Sequence, residues 1–285
     1  GAAPLFGTYN AGTLGNGEYK IVSAPAGICA GSQAGFTGAG GSTTVAITPS
    51  LAAGASCTLS FALQVKPTAP LPPVSGLCGA RYCNQASVTG EGALSGQTSA
   101  TNPQLHDASD NGANPDPNGN SRANEAGEND PTPVAPAFNA AFGIAKQVNG
   151  NVSVQPDGSL LVPIRLVATN VGNEPLDNVT ITDPLSAGAG GQFGGYVAGG
   201  PAATLAAGQY TVQTAPAFSG VCTNGSTVPT FTGDSGNLAL ATLTAMVTTA
   251  SCTVDFTYRF LPATLTTHTN QAQASGTGAY TGTPA

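Results

Sequence analysis

The stretch Leu160-Leu161-Val162-Pro163-Ile164-Arg165-Leu166-Val167-Ala168-Thr169 decides the fold class. Leu160, Val162, Ile164, Leu166 and Ala168 recur at every second position, the period that puts side chains on one face of a β-strand. Asp157-Gly158 turns the chain into this strand, and Asn170-Val171-Gly172-Asn173 turns it out again. A second strand follows at Leu176–Asp183 and is ended by Pro184. Upstream, Phe142–Val148 alternates in the same way. Downstream, strands are expected near 208–214, 237–248, 251–260 and 267–276, with glycine-rich loops between them. This spacing predicts an all-β fold, with residues 138–285 forming one immunoglobulin-like β-sandwich.

The remainder of the chain repeats part of that unit. Phe6-Gly7-Thr8-Tyr9 matches Phe193-Gly194-Gly195-Tyr196, and Tyr19–Ala26 matches Tyr210–Ala217. Cys29 matches Cys222, Ser56-Cys57-Thr58 matches Ser251-Cys252-Thr253, and Asn84-Gln85-Ala86 matches Asn270-Gln271-Ala272. Self-similarity of this kind marks a tandem array. Nothing matches the first half of the complete copy. Residues 1–100 are therefore expected to be the second half of a sandwich, completed by an upstream or neighbouring segment equivalent to 138–187. Residues 101–137 hold six of the fourteen acidic residues with seven Asn and six Pro, and read as an interdomain linker.

Composition narrows the function. Charged residues are 7% of the chain, Gly (39) and Pro (22) are abundant, and there is no Trp, a mixture poor for helices and suited to strands and turns. A net charge of −7 argues against nucleic-acid binding, for which a basic face is the minimum. No stretch has the roughly 20 apolar residues of a membrane-spanning helix. No signal peptide is visible, so an exported chain is expected either to have lost one or to belong to something longer. Six cysteines form two repeat-equivalent pairs and one local pair, which predicts disulfides Cys29–Cys57, Cys222–Cys252 and Cys78–Cys83 and an extracellular location. Zinc is the rival reading, but the spacing of the cysteines and two histidines does not suit it.

Strand parity isolates three polar residues on apolar faces. Lys146 shares a face with Phe142, Ile144 and Val148; Asp183 shares one with Val179 and Ile181; Asn270 shares one with Ala272 and Ala274. Burial lowers a lysine pKa and raises that of an aspartate. A neutral amine is a nucleophile, so Lys146 could attack the Asn270 side-chain carbonyl with Asp183 as acid, leaving an isopeptide bond. The plainer reading is a Lys146–Asp183 ion pair with Asn270 bonded to a loop. Asp255 is a second candidate acid, but it lies out of phase with Cys252, Val254, Phe256 and Tyr258 and should face solvent.

Lys146, the run Val167–Leu185 (VATNVGNEPLDNVTITDPL) and the closing Thr269–Gly278 (TNQAQASGTG) resemble a bacterial surface-protein repeat. That family is catalogued as a domain of unknown function, the eleventh in its series. The resemblance implies β-sandwiches strung in tandem along large exported proteins. It also implies a Lys–Asn isopeptide, as in collagen-adhesin-type domains, at Lys146, Asp183 and Asn270. In the linker, Asp107, Asp110, Asn111, Asn114, Asp116, Asn118, Asn120, Glu125, Glu128 and Asp130 resemble the family's Asp/Asn-rich connectors. These imply bound Ca²⁺, for which such oxygens are the ligands; a solvated acidic linker is the alternative.

The function expected is structural and not enzymatic: a repeat unit of a bacterial cell-surface filament, adhesin stalk or surface layer that self-associates or abuts adjacent repeats. The alternative is an adhesive, carbohydrate-binding module, which would display clustered aromatics such as Tyr9, Tyr196 and Tyr280.

Overall fold

The computed structural model describes residues 6–189, 191–220, 222, 224–264 and 266–285. The chain divides into two units, 1–137 and 138–285. In unit 1, β1 (Thr8–Tyr9), β2 (Glu18–Gly27) and β3 (Leu59–Lys66) form a sheet in that order. Four short strands make two ribbons: β4 (Tyr82–Asn84) pairs with β7 (Thr132–Val134), and β5 (Ser87–Thr89) pairs with β6 (His106–Ala108).

Unit 2 is a β-sandwich. Its strands are β8 (Phe142–Val148), β9 (Ser153–Val154), β10 (Leu160–Asn170), β11 (Leu176–Thr182), β12 (Tyr210–Phe218), β13 (Gly225–Thr227), β14 (Ala239–Met246), β15 (Ser251–Phe260) and β16 (Gln273–Gly278). One sheet runs β12-β15-β10-β8, with β9 also on β10, and the other runs β13-β14-β11-β16. The parity of the opening stretch explains the core. Val162, Ile164, Leu166 and Ala168 of β10 are buried with Val254, Phe256 and Tyr258 of β15, and Val179, Ile181, Leu240 and Leu243 join them from the second sheet. Two inner faces interdigitating in this way bury enough apolar surface to hold the unit together.

Two expectations change. Residues 101–137 are not a separate linker: they lie within unit 1, and their β6 and β7 supply the partners of β5 and β4. The first strand of unit 2 is also less buried than its parity suggests. Ile144 is 37% and Val148 49% exposed, because β8 is an edge strand with β10 on one side only.

All three disulfides are formed as paired in the sequence, Cys29–Cys57, Cys78–Cys83 and Cys222–Cys252. They fit an oxidising, extracytoplasmic setting. No helix among the described residues is long and apolar enough to cross a membrane.

Candidate isopeptide site

Lys146, Asp183 and Asn270 meet in unit 2. Lys146 is carried by β8 of the first sheet. Asp183 follows β11, and Asn270 leads into β16, both of the second sheet. The Asp183 carboxyl bridges the other two. Lys146 Nζ donates to its Oδ2 at 2.5 Å, and Asn270 Nδ2 donates to its Oδ1 at 2.8 Å. The Asp183 side chain is 0% and that of Lys146 13% exposed.

Position in the fold accounts for this burial. Lys146 stands opposite Leu166, which is completely buried, so its stem lies on the core side of β10. Asp183 is held by its own backbone N–H, which donates to Leu238 O at 3.0 Å. Desolvation pushes the Lys146 ammonium below its usual range, opposed by the Asp183 charge beside it. Desolvation likewise pushes the Asp183 carboxyl up, opposed by Lys146 and by the Asn270 hydrogen bond. Both shifts favour the uncharged pair, an amine facing a carboxylic acid. Burial also raises Tyr258, whose phenol stays neutral near Asp183.

Asp255 lies on the other side of its sheet. It stands opposite Arg165 and takes a two-point contact from it, Nε to Oδ1 at 2.8 Å and Nη2 to Oδ2 at 2.7 Å. That contact holds its carboxyl below the usual range. Asp255 is an outer-face ion pair.

The acidic segment has a different design. Asp116 Oδ1 accepts from Gly119 N and Asn120 N, and its Oδ2 accepts from Ser121 N, so this carboxylate organises its own turn. Asp107 Oδ1 takes Asn124 N, Asp110 Oδ1 takes Asp130 N, and Asn114 and Asn118 accept from Asp116 N and Asn120 N. Asn120 Nδ2 donates to Glu125 Oε2 at 2.7 Å, which chiefly lowers that carboxyl. Asn111 and Asp130 are exposed. Among the described residues no three His, Cys, Asp or Glu side chains gather as a metal centre. Glu128 stands apart. It is 4% exposed, and among the described residues neither carboxylate oxygen has a hydrogen-bond partner, nor does the buried Asn129 Oδ1. Unpaired buried oxygens of this kind suit a cation that takes oxygen ligands.

Among the buried polar residues that the sequence reading missed are Asn170 and Glu174. Asn170 Nδ2 donates to Glu174 O and Met246 O, clasping the β10–β11 turn. Glu174 accepts from Tyr280 N, Thr281 N and Thr281 Oγ1, tying that turn to the chain beyond β16. Both lie in a stretch whose turn composition hides long-range partners. Tyr9, Tyr196 and Tyr280 each pack on another ring and are half-buried there: Tyr9 on Tyr19, Tyr196 on Tyr210 and Tyr280 on Phe138.

No protein-family model, curated protein or solved structure matches the chain.

Proposed function

We propose that the chain is a non-enzymatic structural repeat of an extracellular bacterial filament, adhesin stalk or surface layer, and that unit 2 closes an isopeptide bond between Lys146 and Asn270. The observation that carries this reading is the division of one buried carboxyl group, Oδ2 to the nucleophile and Oδ1 to the leaving nitrogen.

The chemistry follows from that division. The neutral Lys146 amine adds to Asn270 Cγ. As the new bond forms, Nζ becomes acidic and gives one proton to Asp183 Oδ2. The proton held on Oδ1 passes to Asn270 Nδ2, the Cγ–Nδ2 bond breaks, and ammonia leaves. Asp183 ends with one proton, as it began, so the step needs no oxidant or cofactor and occurs once per molecule. Fixing both reactants in a folded core supplies the effective concentration that free lysine and asparagine lack. Proteolysis followed by tandem mass spectrometry tests this: a branched peptide joining residues 146 and 270 is expected, and recovery of both as separate linear peptides would refute it.

The resemblance to the surface-protein repeat family supports the immunoglobulin-like and tandem parts of this proposal. The three disulfides support the location outside the cytoplasm. We narrow the proposed Ca²⁺ site to Glu128 and Asn129 Oδ1, where bound Ca²⁺ would neutralise the buried carboxylate. Calcium is expected to raise the melting temperature of unit 1 in the native chain and to leave Glu128→Gln unmoved; equal responses would exclude the site.

A further inference from the structure

Unit 1 repeats a set of bonds around Tyr19 that unit 2 makes around Tyr210. Tyr19 OH donates to Thr37 O at 3.0 Å, as Tyr210 OH does to Thr232 O at 2.9 Å. The Thr37 and Gly38 amides share Ser42 O, as the Thr232 and Gly233 amides share Asn237 O. Tyr9 packs edge-on to Tyr19 at 5.8 Å, and Tyr196 packs edge-on to Tyr210 at 5.8 Å. Tyr19 pairs with Val65 across β2 and β3, matching Tyr210 with Phe260 across β12 and β15.

The difference lies in what covers this half. In unit 2, β15 is bonded by β12 on one side and β10 on the other. The Leu185 and Ser186 amides donate to Gly233 O, and Asp183 N donates to Leu238 O. In unit 1, among the described residues, β3 pairs with β2 alone and is the last strand of its sheet. Phe256 and Tyr258 are 2% and 7% exposed, whereas their counterparts Phe61 and Leu63 are each 38% exposed. A groove of about 410 Å³ opens there, lined among others by Phe6, Tyr19, Phe36, Phe61, Leu63 and Asn84. Gly38 and Thr43, which match Gly233 and Leu238, also line it. Asn84 is the counterpart of Asn270.

We propose that this face is a docking site for a strand segment built like residues 142–187 but lying outside these 285 residues. Its β10-like strand adds to the free edge of β3, and its apolar face fills the groove, with its lysine and aspartate delivered to Asn84. Addition of a strand to an open edge satisfies both the unpaired backbone and the exposed apolar surface. A second copy of the chain is the poorer occupant, because its own segment of this type is bonded on both sides of β10 within unit 2. The covalent part rests on the isopeptide reading above. The docked lysine Nζ adds to Asn84 Cγ, the Cγ–Nδ2 bond breaks, and ammonia carries away the displaced nitrogen.

The test mixes the 285-residue chain with a recombinant peptide of residues 138–187 and follows hydrogen exchange and intact mass. The peptide is expected to slow exchange in β3 at least tenfold and to leave β15 unchanged. Leu63→Lys should weaken this at least tenfold, whereas Asn84→Ala should keep it. The wild-type pair should yield an adduct lighter than its parts by one ammonia, about 17 Da, and Asn84→Ala should yield none. An unprotected β3 at saturating peptide would overturn the docking and leave the Lys146–Asn270 reading intact. Protection without an adduct would overturn Asn84 as acceptor. Dimerisation of the chain alone with β3 protected would assign the face to a second copy and overturn the proposed occupant.

Discussion

A Lys146→Arg variant should make unit 2 extensible under force. Lys146 lies on the first strand and Asn270 just before the last, so a bond between them carries tension past nearly all of the sandwich. In the wild type, pulling on the two ends of the chain should leave the residues between 146 and 270 folded or at least unextended. Arginine can still donate to Asp183, but it stays protonated and cannot attack an amide. The variant should therefore unfold and release the segment between the two positions. Of its roughly 125 residues, those inside the Cys222–Cys252 loop, a separation of 30, stay tethered. About 95 residues at about 3.5 Å each, less the short native span, give roughly 300 Å of new length. Single-molecule force spectroscopy without reductant reads this directly as an added step. The same step in wild type and variant would rule out the crosslink, because the wild-type core would then be held by non-covalent contacts alone.

Thermal stability supplies an independent check. Asn270→Ala should remove a crosslink closing a loop of roughly 125 residues, worth about 5 kcal/mol in the chain-entropy model. That corresponds to a fall of about 10–20 °C in the melting of unit 2 by calorimetry; a fall matching one lost hydrogen bond, about 1–3 kcal/mol, would contradict the crosslink. The rate of bond closure after refolding should be bell-shaped in pH, followed by mass on quenched samples. Asp183 is shifted up and Lys146 down, so the reactive pair holds one proton between them. Acid adds a second proton to the amine and alkali removes the one on the carboxyl, so closure slows on both sides, and a rate rising steadily to high pH would exclude Asp183 as the acid. Before closure, the raised Asp183 costs stability as pH rises through its folded value, and the lowered Lys146 costs stability as pH falls through its own. Replacing Cys222 and Cys252 by serine should cost roughly 3–4 kcal/mol for a loop of that length, read as a lower denaturation midpoint. Glu174→Gln should lose about 1–3 kcal/mol and speed amide exchange at Tyr280 and Thr281; unchanged exchange there would show that the carboxylate does not hold the end of the unit.

Much of unit 2 was legible because its strands obey a period of two. That period put Leu166, Ile181 and Ala272 inside, and with them the misfits Lys146, Asp183 and Asn270. Parity gives a side and not a depth. It could not show that β8 is an edge strand, which leaves Ile144 and Val148 half exposed. The segment 101–137 was illegible for a related reason. Its pairing of β6 with β5 and of β7 with β4 runs through backbone groups, which every residue except proline carries in full, so composition alone read it as a linker. Glu128 and Glu174 are buried by distant partners or none, and nothing beside them in sequence marks either.

The carboxyl of Asp183 is proposed to join Lys146 to Asn270. Intact mass under denaturing, non-reducing conditions tests it most directly, with wild type and Asp183→Ala compared side by side. After allowance for the hydrogens lost to three disulfides, the wild type should weigh about 17 Da less than its sequence, and Asp183→Ala should show no deficit. A wild-type chain at its full sequence mass would contradict the account.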